Sequence, residues 1–141
     1  MDFKLELVVL PVSDVDRAKE FYVDRMGFTL DVDHRAGDAF RVVQMTPPGS
    51  ACSITIGMGV SPVAPGTYRG LHLVVTDIVA ARAWLVERGV EASEPFHFGS
   101  EGQTPGLSPE RGDYETFVSV SDPDGNGWLV QEVGHSADSA S

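Results

Sequence analysis

Few side chains in this chain of 141 residues are equipped for chemistry: four histidines, one cysteine, and acids that fall mostly in polar stretches. No glycine-rich nucleotide loop, no Gly-x-Ser-x-Gly elbow and no paired cysteines at metal-ligand spacing occur. His72 is the exception that asks for a role, because it interrupts the apolar run Leu71-His72-Leu73-Val74-Val75. An imidazole titrates near neutrality and suits proton transfer, so His72 is the candidate acid or base. The alternative is a hydrogen-bonded wall residue. Gln131, in a second β-rich run, offers an amide that orients a polar ligand group or makes a structural hydrogen bond. Tyr114 ends a glycine-rich stretch, where it closes over a ligand or stands as an exposed turn aromatic. Cys52, within Ala51-Cys52-Ser53-Ile54, reads as an inert buried thiol. Asp122 and Asp124 belong to a turn and are assigned to hairpin geometry.

The elements that must position these residues occur twice. Val8-Val9-Leu10-Pro11-Val12-Ser13-Asp14-Val15-Asp16-Arg17-Ala18 is echoed by Leu71-His72-Leu73-Val74-Val75-Thr76-Asp77-Ile78-Val79-Ala80-Ala81, with Ser13 and Thr76 offset by 63 (76 − 13). Such copies bury their apolar faces as repeated units. In the first, an apolar run from Leu5 to Val12 leads to Ser13 as helix cap. Val15, Ala18, Phe21 and Tyr22 then form a helical stripe that Gly27 ends. Strands follow at Thr29 to His34, Phe40 to Thr46 and Ala51 to Ile56, with Pro47-Pro48-Gly49 turning before the last. In the second, a strand from Gly70 to Val75 precedes Thr76 as cap and a helix with Ile78, Ala81, Trp84 and Leu85 inward, stopped by Gly89. Strands at Thr116 to Ser121 and Trp128 to Glu132 are joined by Asp122-Pro123-Asp124-Gly125. Trp84 and Trp128 are expected in the core.

The expected architecture is therefore α+β: two βαβββ modules in tandem forming cupped mixed sheets, with the helices on the convex side. A single domain spans 1–133, module one about 3–57 and module two about 69–133, joined by a connector from Gly57 to Tyr68. Pro95 to Asp113 falls outside the repeat and reads as a functional lid or a mobile excursion. The tail, 134–141, is small and polar and expected to be disordered.

Composition narrows the partners. The formal charge of −11 argues against nucleic acid and anionic membrane, and no run approaches the length of a membrane span. One cysteine allows no intrachain disulfide, so a reducing, cytoplasmic setting is expected.

Alternation along the strands sorts the side chains by face. Leu71, Leu73 and Val75 oppose Gly70, His72 and Val74; Trp128 and Val130 oppose Leu129 and Gln131; Ile54 and Ile56 oppose Ser53 and Thr55. The first strand is apolar on both faces, Val8 and Leu10 against Leu7 and Val9. Each pair of strands thus has an apolar face for the helix and a face of mixed character, as in the wall of a small-molecule cavity.

The repeat, with Phe21-Tyr22, Gly27-Phe28, Val75-Thr76-Asp77-Ile78 and Ser121-Asp122-Pro123-Asp124-Gly125-Asn126, resembles the vicinal-oxygen-chelate superfamily of glyoxalases, bleomycin-resistance proteins and extradiol dioxygenases. The resemblance covers residues 3 to 133. It implies a divalent metal held by His or Glu at equivalent positions of the two modules. Those positions fall here on Leu7, Gly70, Leu129 and Thr55 (or Ser53). Leucine and glycine have no donor, and a neutral hydroxyl is a poor ligand for such an ion. The expectation is a metal-free small-molecule binding protein with no cofactor, a homodimer, holding a largely apolar ligand against Leu7, Val9, Thr55, His72, Tyr114, Leu129 and Gln131. The alternative is a lyase, isomerase or dioxygenase using His72 or a relocated metal, for which His34, His97, Glu115 and the acids of 101–115 are the available donors.

Overall fold

The computed structural model describes residues 1–136, so the expected tail lies outside the described residues from 137 on. Its first residues are held: Gly134 donates to Asp113 at 2.7 Å and His135 Nδ1 to the Thr76 carbonyl at 3.2 Å. Among the described residues the order is β1 (Leu7–Val9), α1 (Val15–Glu20), a π-helical turn (Phe21–Arg25), β2 (Thr29–Ala36), β3 (Phe40–Thr46), β4 (Ser53–Met58), β5 (Leu71–Val75), α2 (Ile78–Glu87), β6 (Phe96–Gly99), β7 (Gly102–Pro105), β8 (Thr116–Ser121) and β9 (Gly127–Glu132). Two open mixed sheets result, ordered β1-β4-β3-β2 and β5-β9-β8-β6-β7. The chain divides into two compact units: Met1–Tyr68 with Asp122–Asn126, and Arg69–Ser121 with the chain from Gly127 onward.

In the first unit β1 is shorter than the apolar run from Leu5 to Val12, because Pro11 has no N–H to extend the ladder. Leu10 still donates to the Thr55 carbonyl at 2.8 Å. The expected stripe is buried: Val15, Ala18, Phe21 and Tyr22 pack inward, with Ile54 and Ile56 buried on the central strand. The cap is not Ser13 but Asp14, whose carboxylate accepts from Arg17 N at 3.0 Å. In the second unit Asp77, not Thr76, caps α2 by accepting from Val79 N and Ala80 N at 3.1 Å each. The repeat survives this correction, since both helices begin 63 residues apart, at Val15 and Ile78.

The copies then differ by one residue. Val15 to Gly27 is twelve steps and Ile78 to Gly89 eleven, and the π-helical turn holds the extra residue. Both glycines take positive φ, 78° and 82°, as a helix stop requires. Trp84, expected in the core, is 43% exposed with the Arg88 guanidinium 4.3 Å over its ring. At 3.6 residues per turn, position 84 lies roughly 120° round the helix from Ile78, whereas Leu85 returns to the buried face. Trp128 is buried as expected.

Pro95 to Asp113 is not a structureless excursion. Phe96–Gly99 and Gly102–Pro105 form a hairpin closed by Ser100 and Glu101, and Phe96 pairs with Phe117 of β8. The second module therefore carries one strand more than the first.

The turn Asp122–Asn126 is built into the first unit. Asn126 is fully buried: its Nδ2 donates to the Pro11 carbonyl at 2.8 Å and its Oδ1 accepts from Tyr68 N at 3.1 Å. Tyr22 donates its hydroxyl to Asp122 Oδ2 at 2.8 Å, and the Asp124 carboxylate takes both the amide and the hydroxyl of Ser13. That last contact explains why Ser13 does not cap. We expect Tyr22→Phe to lower the unfolding free energy by about 1–2 kcal/mol, since one buried acceptor loses a donor. Urea denaturation checks this, and an unchanged midpoint would refute the role given to the hydroxyl.

Candidate functional site

In the second unit the strand register brings together the residues that alternation alone placed on one face. Val74 pairs with Gln131, and Gln131 with Phe117, and Phe117 with Phe96; in the next row His72 pairs with Leu129, and Leu129 with Ser119. His72 Nδ1 and Gln131 Oε1 are 3.1 Å apart. Beside them Phe96, Phe98 and Phe117 form an aromatic cluster, with ring centroids 5.6–6.0 Å apart and Phe98 set edge-on to both neighbours. Phe98 is 61% exposed and Val74 60% exposed, so the face offers water a broad apolar surface around one polar pair. The row runs out into a depression of about 360 Å³ between Arg69, Gly70, Ser119, Ser121 and Leu129. Gly70 helps to keep it open: a side chain there would meet nothing within 4 Å.

The aromatic half of this wall was not among the residues singled out from sequence. Phe96 and Phe98 lie in the segment read as a loop. The available signal was the alternation Phe96-His97-Phe98, short and enclosed by proline and glycine. Tyr114 is 64% exposed with φ +62°, its amide donating to the Glu132 carbonyl at 3.0 Å. Neither His72 nor Gln131 hydrogen-bonds to it.

Leu7, Val9 and Thr55 share a face of the first unit's sheet. Leu7 pairs with Ser53 and Val9 with Thr55, as alternation requires. Ser53 Oγ lies 2.6 Å from Thr46 Oγ1, which donates to Asp31. The Thr55 hydroxyl is buried and has no hydrogen-bond partner among the described residues.

The side chains are held by ion pairs behind the sheets. In the second unit Glu132 is fully buried next to Gln131 and accepts from Arg111 Nη2 at 2.6 Å, Arg111 Nε at 3.0 Å and Ile78 N at 2.8 Å. Burial pushes its carboxyl up, but the Arg111 guanidinium and the Ile78 N–H outweigh that and hold it below its ordinary value. In the first unit Arg41 grips Asp33 with Nε and Nη2 at 3.0 and 2.9 Å and reaches Asp16 with Nη1. Arg41 and then Lys19 hold the Asp33 carboxyl well below the usual range.

The family model described as Glyoxalase/Bleomycin resistance protein/Dioxygenase superfamily matches residues 4–130, and this chain belongs to that family. It is similar to TnmS3, an antibiotic binding protein from Streptomyces sp. CB03234, whose crystal structure is 31% identical with TM-score 0.74 over 94% of this chain and 97% of that one. A glyoxalase/bleomycin resistance protein from the same Streptomyces is 32% identical with TM-score 0.69, over 92% of this chain and 100% of the other. An uncharacterized protein of Bacillus subtilis (strain 168), YetH, is 24% identical over 129 residues, 89% of this chain and 94% of its own.

The divalent metal that the fold family implies does not fit this donor set. Leu7 and Leu129 present hydrocarbon, Gly70 no side chain, and Thr55 and Ser53 neutral hydroxyls. Among the described residues, no group of three or more His, Cys, Asp and Glu side chains is placed to hold a metal ion.

Both Glu132 and Asp33 titrate lower in the folded chain than in the unfolded one. Their stabilisation is therefore complete above the ordinary carboxylate range near about pH 4 and is lost as pH falls through the depressed folded values. Urea titrations from pH 6 to pH 2 should show that decline. Arg111→Met should cost about 3–5 kcal/mol at pH 7 and move the onset of the decline to higher pH, because a buried carboxylate without its cation is pushed up. A flat profile in the parent chain would refute the assignment.

Proposed function

We propose that this chain is a metal-free small-molecule binding protein that holds a largely apolar, ring-bearing ligand against the His72–Gln131 sheet face. The observation that carries the reading is the row Val74, Gln131, Phe117 and Phe96, with Phe98 standing exposed beside it. Water-exposed aromatic surface around one polar pair is the composition of a ligand wall rather than of a solvated face. The donor-poor metal positions support a binding role over metal-assisted chemistry. The similarity to an antibiotic binding protein points the same way.

A fluorescent neutral probe, 6-propionyl-2-dimethylaminonaphthalene, tests it. Saturable binding is expected, unaffected by EDTA and weakened about 3- to 10-fold by Phe98→Ala, the worth of one lost aromatic contact. That variant should still unfold cooperatively, with its melting temperature lowered by a few degrees at most through the lost edge-on contacts with Phe96 and Phe117. Absence of saturable binding, or indifference to Phe98→Ala, would overturn the reading.

The chain is also read as a homodimer in a reducing, cytoplasmic setting. Strands β1 and β5 are open sheet edges, and Met1, Phe3 and Leu5 stand exposed ahead of β1, alternating with Asp2, Lys4 and Glu6. Light scattering on an eluting peak should give twice the chain mass, and a monomer at micromolar concentration would remove the dimer.

A further inference from the structure

The hydrogen-bonding roles inside the His72–Gln131 pair narrow the ligand's chemistry, an inference that rests on the aromatic-wall reading above. An amide oxygen only accepts, so its contact with His72 Nδ1 puts the proton on that nitrogen. A neutral imidazole then carries its lone pair on Nε2. Nε2 has no hydrogen-bond partner among the described residues, and nor have the amide hydrogens of Gln131. The registered neighbours of the pair, Val74, Leu129, Phe117 and Ser119, are all uncharged. The wall thus presents one strong free acceptor beside hydrocarbon and aromatic rings.

We propose that the site selects neutral aromatic ligands bearing a phenolic hydroxyl, whose O–H donates to His72 Nε2 while the ring lies over Leu129 and Gln131 toward Phe117. A phenol's proton is the more acidic and better donated one, and the group stays neutral at pH 7. A carboxylate has no proton to give to Nε2. An ammonium would have to shed water among residues that offer no counter-charge. Gln131 is a positioning residue: it holds the imidazole in the Nδ1–H tautomer that leaves Nε2 free.

The test compares 2-naphthol with 2-methoxynaphthalene, which has the same rings and no donor. The parent chain should bind the naphthol about tenfold more tightly, as expected for one well-made hydrogen bond. In His72→Phe the naphthol should fall to the affinity of the ether, with the ether's own affinity kept. Long-range proton–nitrogen spectra should show His72 as the Nδ1–H tautomer in the parent chain. In Gln131→Leu they should show a shift toward Nε2–H, with part of the preference lost. Equal affinities in the parent chain, a preference that survives His72→Phe, or an Nε2–H tautomer in the parent chain would overturn this inference and leave the aromatic wall standing. Binding of neither compound would overturn both.

Discussion

A carboxylate taken wholly out of water must be answered, and the Glu132 side chain is answered by two parts of its unit at once. Arg111 grips both its oxygens, the first amide of α2 donates to one of them, and its own carbonyl receives the Tyr114 amide. Losing Arg111 or the Ile78 amide would leave a buried charge short of the bonds that make burial tolerable. This is why the segment between β7 and β8 can hold Arg111 and Tyr114 at φ +49° and +62°, conformations that side-chain-bearing residues seldom adopt. It also fixes the end of β9, and the neighbour of Glu132 on that strand is Gln131. The polar pair on the open face is thus aimed by an ion pair on the covered one.

How much of this was legible in the sequence depends on the range of the interaction. Face assignments rest on a period of two within one strand, and they hold: His72, Leu129 and Gln131 share a face, as do Leu7, Val9 and Thr55. The contact between His72 and Gln131 needs the β5–β9 register, which no local pattern encodes. The β6–β7 hairpin was hidden because Pro95, Gly99, Gly102 and Pro105 break local periodicity; pairing of Phe96 with Phe117 overrides them. The caps fall in the pairs Ser13-Asp14 and Thr76-Asp77, where either residue is chemically able. In the first pair a partner more than a hundred residues away, Asp124, decides between them. Trp84 is exposed where Phe21, 63 residues earlier, is buried, because the π-helical turn of one copy and the regular helix of the other leave equivalent positions facing differently.

The positions that the resemblance assigns to metal ligands carry no side chain suited to one. Leu7 lies beside Ser53, and Leu129 lies beside His72. What remains on the second unit's sheet is a neutral surface with one acceptor and one amide set among rings. In the binding role proposed for it, such a surface would sort molecules by shape and by where they carry a proton. On the first unit's sheet the buried Thr55 hydroxyl has no hydrogen-bond partner among the described residues, a small cost that the fold tolerates.

The turn Asp122–Asn126 has a further bearing on how the protein is made. Its residues complete the first unit, yet they leave the ribosome after nearly all of the second has been synthesised. Until then Pro11, Ser13, Tyr22 and Tyr68 must wait with their polar groups in water. The N-terminal repeat cannot finish folding as an independent early step, and a nascent chain halted at the connector would carry an unsealed core.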